Sequence, residues 1–111
     1  MSHQAEWVSV PTFWAYIHLA GDIEVAKQVC REDCYQEGLC VTVEPCEYIY
    51  TGGQETGYVV RLINYPRFPS TPDRVLGRAK SLAIKLMERS FQHSALVITP
   101  INTEWLTRRA Q

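Results

Sequence analysis

Aromatic rings and one imidazole alternate with aliphatic side chains between residues 12 and 20. Trp14, Tyr16 and His18 fall on one parity, and the positions between them are Phe13, Ala15, Ile17 and Leu19. Because successive side chains of a β-strand point to opposite faces, a strand here would carry aliphatic groups on one face and rings on the other. Such rings can stack on nucleobases or contact another protein, and an imidazole can act as a general base when a partner orients it.

A second segment, residues 46–50, repeats the pattern with Tyr48 and Tyr50 on the same parity. If both segments lie in one sheet, their rings share one face, which we call the open face. A patch of exposed rings usually marks a contact surface, and Arg61 is the cation expected beside it within a strand. A bulge at Pro45 would shift the register by one residue and move both tyrosines to the other face.

Six elements must position these side chains. Apolar alternation predicts strands over residues 8–20, 39–51, 58–65 and 94–99, with Pro45 interrupting the second of them. Helical spacing predicts helices over residues 23–36 and 72–91, the second capped by Thr71 with Pro72 at its first position. Gly52 and Gly53 indicate a hairpin turn between the second and third strands.

This β-α-β-β-α-β order predicts a ferredoxin-like α+β fold with four antiparallel strands and two helices on one face. The length of 111 residues indicates a single domain over residues 1–111. Its last residues, about 101–111, are expected to form a C-terminal tail. The aliphatic side chains of the first strand would then face the helices, leaving the rings on the open face.

Composition excludes several classes of protein. Lys and Arg total 11 and Asp and Glu total 12, so the net charge of −1 lacks the basic excess that binding to a nucleic-acid backbone needs. No apolar run is long enough to span a membrane, and no signal peptide is visible, which favours the cytoplasm. No motif for a nucleotide, a metal or another cofactor is recognised, so none is expected.

The four cysteines, at positions 30, 34, 40 and 46, lack the paired spacing of a zinc site. Without a sign of secretion, reduced thiols are expected. Cys30 and Cys34 would lie on the apolar side of the first helix, and a disulfide between Cys34 and Cys40 stays open.

Three uses of the open face remain. The rings could form a homodimer or bind a host protein, or Trp7, Trp105 or Leu106 of the chain's own ends could cover them. They could instead bind single-stranded nucleic acid or a nucleotide, which the charge disfavours. A small enzyme built around His18 is the third alternative, although no carboxylate is clearly placed to orient the imidazole.

A second candidate contact follows the third strand. Tyr65, Arg67 and Phe68 belong to residues 65–69, a segment that also contains two prolines, and exposed Tyr, Arg and Phe are common anchors of interfaces. Arg67 and Arg74 also flank the start of the second helix, where Ser70 and Thr71 could help to hold an anion. Helix capping accounts for the same residues.

Three stretches, residues 40–45, 48–53 and 63–69, resemble small uncharacterised proteins of bacteriophages and prophages. The similarity covers about residues 12–106, carries no catalytic motif, and implies a phage-linked protein in a cytoplasmic setting. Small phage proteins often bind a host factor. The sequence therefore favours a non-catalytic interaction module that self-associates or binds a host protein through the open face.

Overall fold

A computed structural model describes residues 4–37 and 40–108 and shows, within them, five strands and two helices. In chain order these are β1 Trp14–Ala20, α1 Ile23–Glu37, β2 Thr42–Tyr50, β3 Gly53–Ile63, α2 Pro72–Arg89, β4 Ser94–Ile98 and β5 Thr103–Thr107. The strands form one sheet in the order β2-β3-β1-β4-β5, and every neighbouring pair is antiparallel. The predicted α+β class with two helices is confirmed.

The prediction of four strands is wrong, because the predicted tail contains β5. β5 pairs with β4 from Ser94 opposite Thr107 to Ile98 opposite Thr103. The Thr99 hydroxyl accepts hydrogen bonds from the N–H groups of Ile101 (3.2 Å) and Asn102 (3.0 Å), which closes the turn between the two strands. A five-residue strand in which three residues are polar or charged gives little alternation, so its pairing with β4 decides its structure.

The sheet buries one face against both helices. Ala15, Ile17 and Leu19 of β1 are at most 2% exposed and pack against the apolar side of α2. The buried side chains of α2 are Val75, Ala79, Leu82, Ala83, Leu86 and Met87. Leu76, which helical spacing alone places on this side instead of Val75, is only partly buried. The Thr71 hydroxyl accepts the N–H of Arg74 at 3.2 Å, and Pro72 is the first helical residue, as predicted.

The predicted strand 8–20 is shorter in the structure, because β1 begins only at Trp14. The preceding segment is held by the buried Asn64, whose side-chain amide donates to the Pro11 carbonyl at 2.7 Å. The same side chain accepts the N–H of Ser70 at 2.8 Å. Asn64 therefore ties the entry to β1 to the segment that leads into α2.

β2 continues through Pro45 without a bulge. Each residue from Thr42 opposite Arg61 to Tyr50 opposite Gly53 keeps its partner in β3. β2 is an edge strand, where a proline that cannot donate a hydrogen bond is tolerated. The predicted helix end at Gly38 and strand start at Leu39 lie outside the described residues.

β2 and β3 extend well beyond the rest of the sheet. β1 ends at Ala20, opposite Gly57, whereas the β2–β3 pairing continues to its turn at Thr51 and Gly52. Gly52 takes a positive φ of 85° in that turn, which a glycine adopts without strain. We call the two-stranded extension, residues 46–56, the arm.

Neither α1 nor α2, the helices of the described ranges, is long and apolar enough to cross a membrane. The four cysteines are free thiols. Cys30 is buried, and burial, with smaller contributions from the charges nearby, raises the pKa of its thiol to about 12. This thiol therefore remains protonated and acts as a small apolar side chain of the core.

Candidate active site

The open face places the predicted rings of β1 beside β3 and β4. Trp14, Tyr16 and His18 lie opposite Ile63, Arg61 and Val59 of β3. Trp14 and Tyr16 stack with ring centroids 4.2 Å apart and an interplanar angle of 28°. Tyr48 of β2 points to this same face, since the β2–β3 pairing has no slip.

Arg61 is already engaged by neighbouring groups. Its guanidinium lies over the Tyr16 ring at 5.1 Å from the centroid and forms an ion pair with Glu44. These contacts neutralise the cation that a nucleic-acid backbone would require on this part of the face. The structure thus adds a second argument against the nucleic-acid alternative.

The side chain of Tyr48 is held in place by two hydrogen bonds of its hydroxyl group. Its hydroxyl donates to the carbonyl oxygen of Tyr58 at 2.8 Å and accepts the N–H of Leu19 at 3.0 Å, so it bridges β3 and β1. Burial raises the pKa of this hydroxyl. The ring lies over Gly57 of β3, where the absence of a side chain makes the close approach possible.

Tyr48 and His18 line a cavity of about 340 Å³ at the base of the arm. Their ring centroids are 6.3 Å apart and tilted by 57°. Two cross-strand neighbours of His18 also line the cavity. Leu96 of β4 lies opposite His18, and Trp105 of β5 lies opposite Leu96. The polar groups that line the cavity come from Glu55, Gln92 and Ser94.

The cavity combines π faces with one carboxylate. Tyr48, Trp105 and the imidazole of His18 can lie against a flat ring or a cation, and Glu55 supplies a negative charge. This arrangement suits a ligand that carries both an aromatic group and a positive charge. Glu55 lies on this face because the hairpin brings it opposite Tyr48, and its carboxylate accepts a hydrogen bond from the Tyr50 hydroxyl at 3.4 Å.

Burial, and to a smaller extent the positive charge of Arg61, lowers the pKa of His18 from 6.5. The imidazole is therefore neutral at pH 7. Since its pKa is lower in the folded state, the folded protein loses stability as the pH falls below about 6.5.

We expect urea unfolding at pH 7.5 and 5.5 to show a smaller acid-induced loss in the free energy of unfolding for His18→Gln than for the wild type. Equal losses in the two proteins would contradict this assignment.

Within residues 4–37 and 40–108, the segments near the two ends of the chain do not cover the open face. Trp7 is fully exposed, and Trp105 is half-exposed within β5, where it extends the face instead of covering it. Leu106, on the other side of β5, packs against the core. The prediction of cover by these three side chains is therefore wrong, since β5 joins the sheet edge and does not cross the sheet.

The other predicted contact residues lie away from this cavity. Tyr65 and Phe68 line a second cavity of about 510 Å³, which we call the cleft, beside the N-terminus of α2. Their rings stack at 6.4 Å, and Arg67 lies over Phe68 at 5.5 Å. Tyr50 is near the tip of the arm, where its ring lies over Gly53.

The predicted anion site at the start of α2 is partly used by the fold itself. The Thr71 hydroxyl caps the helix, and the N–H of Ser70 donates to the side chain of Asn64. Arg74 does line the cleft with Ser70. The structure thus brings Arg74 close to Tyr65 and Phe68 and separates all three from the open face.

Sequence reasoning missed Glu55, Leu96 and Trp105 as cavity residues. Trp105 lies in the predicted tail, and Glu55 lies between the predicted hairpin turn and the predicted third strand. The alternation of residues 53–57 with β2 was the available signal for Glu55, and no local pattern pointed to Leu96. Among the described residues, no cluster of His, Cys, Asp or Glu could hold a metal ion.

Comparison with known proteins relates this fold to an enzyme. No known family profile matches the sequence, and no curated protein matches it. Two solved structures do match, both of phage SAM lyase. The structure in the apo state has 18% identity and a TM-score of 0.64, and the match covers 89% of this chain and 91% of that chain. The complex with S-methyl-5'-thioadenosine has 17% identity and a TM-score of 0.62, covering 95% and 96%.

These matches correct the functional prediction. The favoured non-catalytic interaction module is contradicted, because the structures that share this fold over nearly their whole length are those of an enzyme. The alternative of a small enzyme agrees better with this finding. The phage origin of both structures agrees with the phage link implied by the sequence resemblance.

Proposed function

We propose that this protein is a small enzyme that cleaves SAM (S-adenosylmethionine) and that the His18 cavity is its active site. The observation that carries the proposal is the fold shared with two phage SAM lyase structures over nearly the whole of each chain. A shared fold alone does not define an activity, so the chemistry of the cavity must support it independently.

The charge of the cavity suits SAM, which combines an adenine ring with a sulfonium cation. Trp105, Tyr48 and His18 supply faces for the adenine or the cation, and Glu55 supplies the opposite charge. The larger cleft has no comparable excess of negative charge, because Arg74 and Glu37 both line it and Arg78 is paired with Asp33.

A reaction that releases S-methyl-5'-thioadenosine breaks the bond between sulfur and the γ-carbon of the aminobutyrate chain. Sulfur keeps the bonding electron pair and leaves as a neutral thioether, so this leaving group needs no proton. The γ-carbon then gains a new bond in one of two ways. Its own carboxylate can form a C–O bond and close a lactone, or the β-carbon can lose a proton to form an alkene.

His18 fits both routes because its lowered pKa keeps it neutral. A neutral imidazole does not repel a sulfonium, as an imidazolium would. In the elimination route it could also accept the β-proton, whereas the lactone route needs no external base. In either route the side chains that line the cavity bind the sulfonium until its positive charge is lost with the breaking of the sulfur–carbon bond.

The proposal is tested by incubating the purified protein with SAM and following S-methyl-5'-thioadenosine and the four-carbon product by mass spectrometry. We expect Trp105→Ala to lower kcat/KM by about fivefold, since a cation–π contact to a half-exposed ring contributes about 1 kcal/mol. Glu55→Gln, which removes the negative charge without changing the shape, should also lower it. Trp105→Phe should retain most of the activity.

Trp7→Ala is the matched control, because Trp7 is fully exposed and does not line the cavity. Failure of the wild type to consume SAM would overturn the proposed function. Turnover that is equally fast in Trp105→Ala, Glu55→Gln and the control would leave the activity and overturn this location of the site.

The finer description of the fold is part of the proposal. The four strands in the order β2-β3-β1-β4, with α1 and α2 on one face, support a ferredoxin-like unit, and β5 extends it at the free edge of β4. The predicted homodimer or host-protein contact through the open face stays a prediction.

A further inference from the structure

Three of the four cysteines line one hollow between α1 and the chain that enters β2. This hollow, which we call the thiol hollow, has a volume of about 420 Å³, and its lining includes Cys30, Cys34 and Cys40. Cys34 lies in the last turn of α1, which ends at Glu37, and Cys40 precedes the start of β2 at Thr42. Two parts of the fold therefore bring thiols to one surface.

Burial divides these three thiols into two kinds. Cys30 is 4% exposed, and its pKa, raised to about 12, keeps it protonated. Cys40 is exposed and Cys34 is half-buried, so solvent reaches both. Because the thiolate is the reactive form of cysteine, partly exposed thiols in positively charged surroundings react, whereas buried ones are inert. The reactive pair in the thiol hollow is therefore Cys34 and Cys40.

Arg78 is a neighbour that Cys34 and Cys40 share. Its guanidinium donates a hydrogen bond to Cys34 Sγ at 3.4 Å and pairs with Asp33 at 3.1 Å. Arg78 and Cys40 both line the cleft, and Cys40 lines the thiol hollow as well. Cys34 and Cys40 therefore lie near the boundary between the same two cavities.

The charged residues that line the thiol hollow, Lys27 and Arg31, are both cations. Lys27 reaches Glu24 at 3.4 Å, whereas the guanidinium of Arg31 has no carboxylate partner within the described residues. The carboxylate of Glu37 lines the neighbouring cleft and not the hollow. Positive groups attract anions and raise their local concentration, so the hollow favours a thiol reagent that carries negative charge.

We propose that Cys34 and Cys40 are a redox-active pair, which an anionic low-molecular-weight disulfide such as glutathione disulfide converts into an intramolecular disulfide. The exposed Cys40 is the thiol that reacts first, and the half-buried Cys34 is the resolving thiol. The cross-link joins the last turn of α1 to the chain that enters β2. This chemistry goes beyond the cleavage of SAM and does not depend on it.

The reaction consists of two successive thiol–disulfide exchanges. The Cys40 thiolate attacks one sulfur of glutathione disulfide, so a mixed disulfide forms as the original S–S bond breaks and one glutathione leaves as its thiolate. The Cys34 thiolate then attacks the Cys40 sulfur and releases the second glutathione. The protein loses two electrons and two protons, and glutathione disulfide gains them as it becomes two molecules of glutathione. Excess glutathione reverses both steps.

The test treats the full-length protein with glutathione disulfide, blocks the remaining thiols with iodoacetamide and maps the products by mass spectrometry. A protease that cleaves after glutamate separates all four cysteines, because Glu32, Glu37 and Glu44 lie between them. We expect the wild type to lose two thiols and two hydrogen atoms and to give a cross-linked peptide pair that contains Cys34 and Cys40. Excess glutathione should restore the four free thiols.

Two serine variants separate the two steps. Cys34→Ser should stop at the mixed disulfide on Cys40, since no resolving thiol remains, and the serine hydroxyl can still accept the hydrogen bond of Arg78. In Cys40→Ser, we expect Cys34 to react at least about tenfold more slowly, because the more exposed thiol is gone. Cys46→Ser is the matched control, since Cys46 does not line the thiol hollow, and it should form the same cross-link as the wild type.

Three results would overturn the proposal. They are the absence of a disulfide in the wild type, a cross-link between another pair of cysteines, and a Cys34 that reacts as fast in Cys40→Ser as in the wild type.

Arg31→Gln tests the preference for an anionic reagent. It should slow the reaction with glutathione disulfide about threefold, because it removes a positive charge beside the thiols, and should leave the rate with neutral hydroxyethyl disulfide unchanged. Arg108→Gln is the control, since Arg108 lies outside the thiol hollow. If Arg31→Gln and the wild type react equally fast with glutathione disulfide, the preference for an anionic disulfide is wrong.

Discussion

Asp33→Ala should lower the free energy of unfolding by about 3–5 kcal/mol, since it leaves a buried cation unpaired. The Asp33 carboxylate accepts hydrogen bonds from the Arg78 guanidinium at 3.1 and 3.3 Å and from Lys85 Nζ at 2.9 Å. The side chains of Asp33 and Arg78 are only 2% and 9% exposed. Chemical denaturation monitored by circular dichroism measures the effect.

Glu32→Ala is the matched control, because the Glu32–Arg89 ion pair joins the same two helices at the surface. Both side chains are about half exposed, and such pairs contribute about 0–1 kcal/mol. The double variant Asp33→Leu with Arg78→Met should recover much of the lost stability, since it removes both buried charges and keeps apolar volume. A loss for Asp33→Ala no larger than that for Glu32→Ala would contradict the role of the buried cluster.

Gly57→Ala should destabilise the protein by about 2–4 kcal/mol, because overpacking and lost hydrogen bonds add. A Cβ at this position would lie 2.3 Å from the Leu19 carbonyl oxygen and 2.6 Å from the Tyr48 ring. The backbone of β1 cannot move without disrupting the sheet. Displacing Tyr48 would break the two hydrogen bonds of its hydroxyl. Thermal and urea unfolding measure the loss.

Gly77→Ala separates this steric effect from the general effect of replacing a glycine. Gly77 lies within α2, and a Cβ there would meet nothing within 4 Å. Alanine should therefore stabilise the helix by up to about 1 kcal/mol. We expect opposite signs for the two substitutions. Equal destabilisation by both would show that the close approach at Gly57 is not the cause.

Much of the fold could be predicted because its signals are local. The alternation in β1 and the Thr71–Pro72 start of α2 are patterns of neighbouring residues, and both match the structure closely. Pro45 was a greater uncertainty, since a bulge there would have reversed Tyr48 and Tyr50. The position of β2 at the sheet edge resolves it, because an edge strand can leave one N–H position unpaired.

The His18 cavity could be predicted only in part. Trp14, Tyr16, His18 and Tyr48 share a face because of side-chain parity, which the sequence contains. Trp105 joins that face only because β5 pairs with β4, a contact that depends on the turn at Thr99.

The buried charge cluster shows the same division between local and tertiary information. By helical spacing, Arg78 and Lys85 fall on the polar side of α2, and no local pattern pairs them with Asp33 of α1. Only the packing of α1 against α2 places one carboxylate between the two cations. Helical spacing alone says nothing about what lies across the interface between helices.

The sequence by itself determined the order of the first six elements and the face on which each β1 side chain lies, since both follow from short-range backbone geometry. The tertiary structure decided how β5 pairs, which residues enclose the cavity, and how far the arm extends beyond β1. These features depend on contacts between residues distant in the chain, and the free energy of such contacts is set by packing and burial, which no local pattern records.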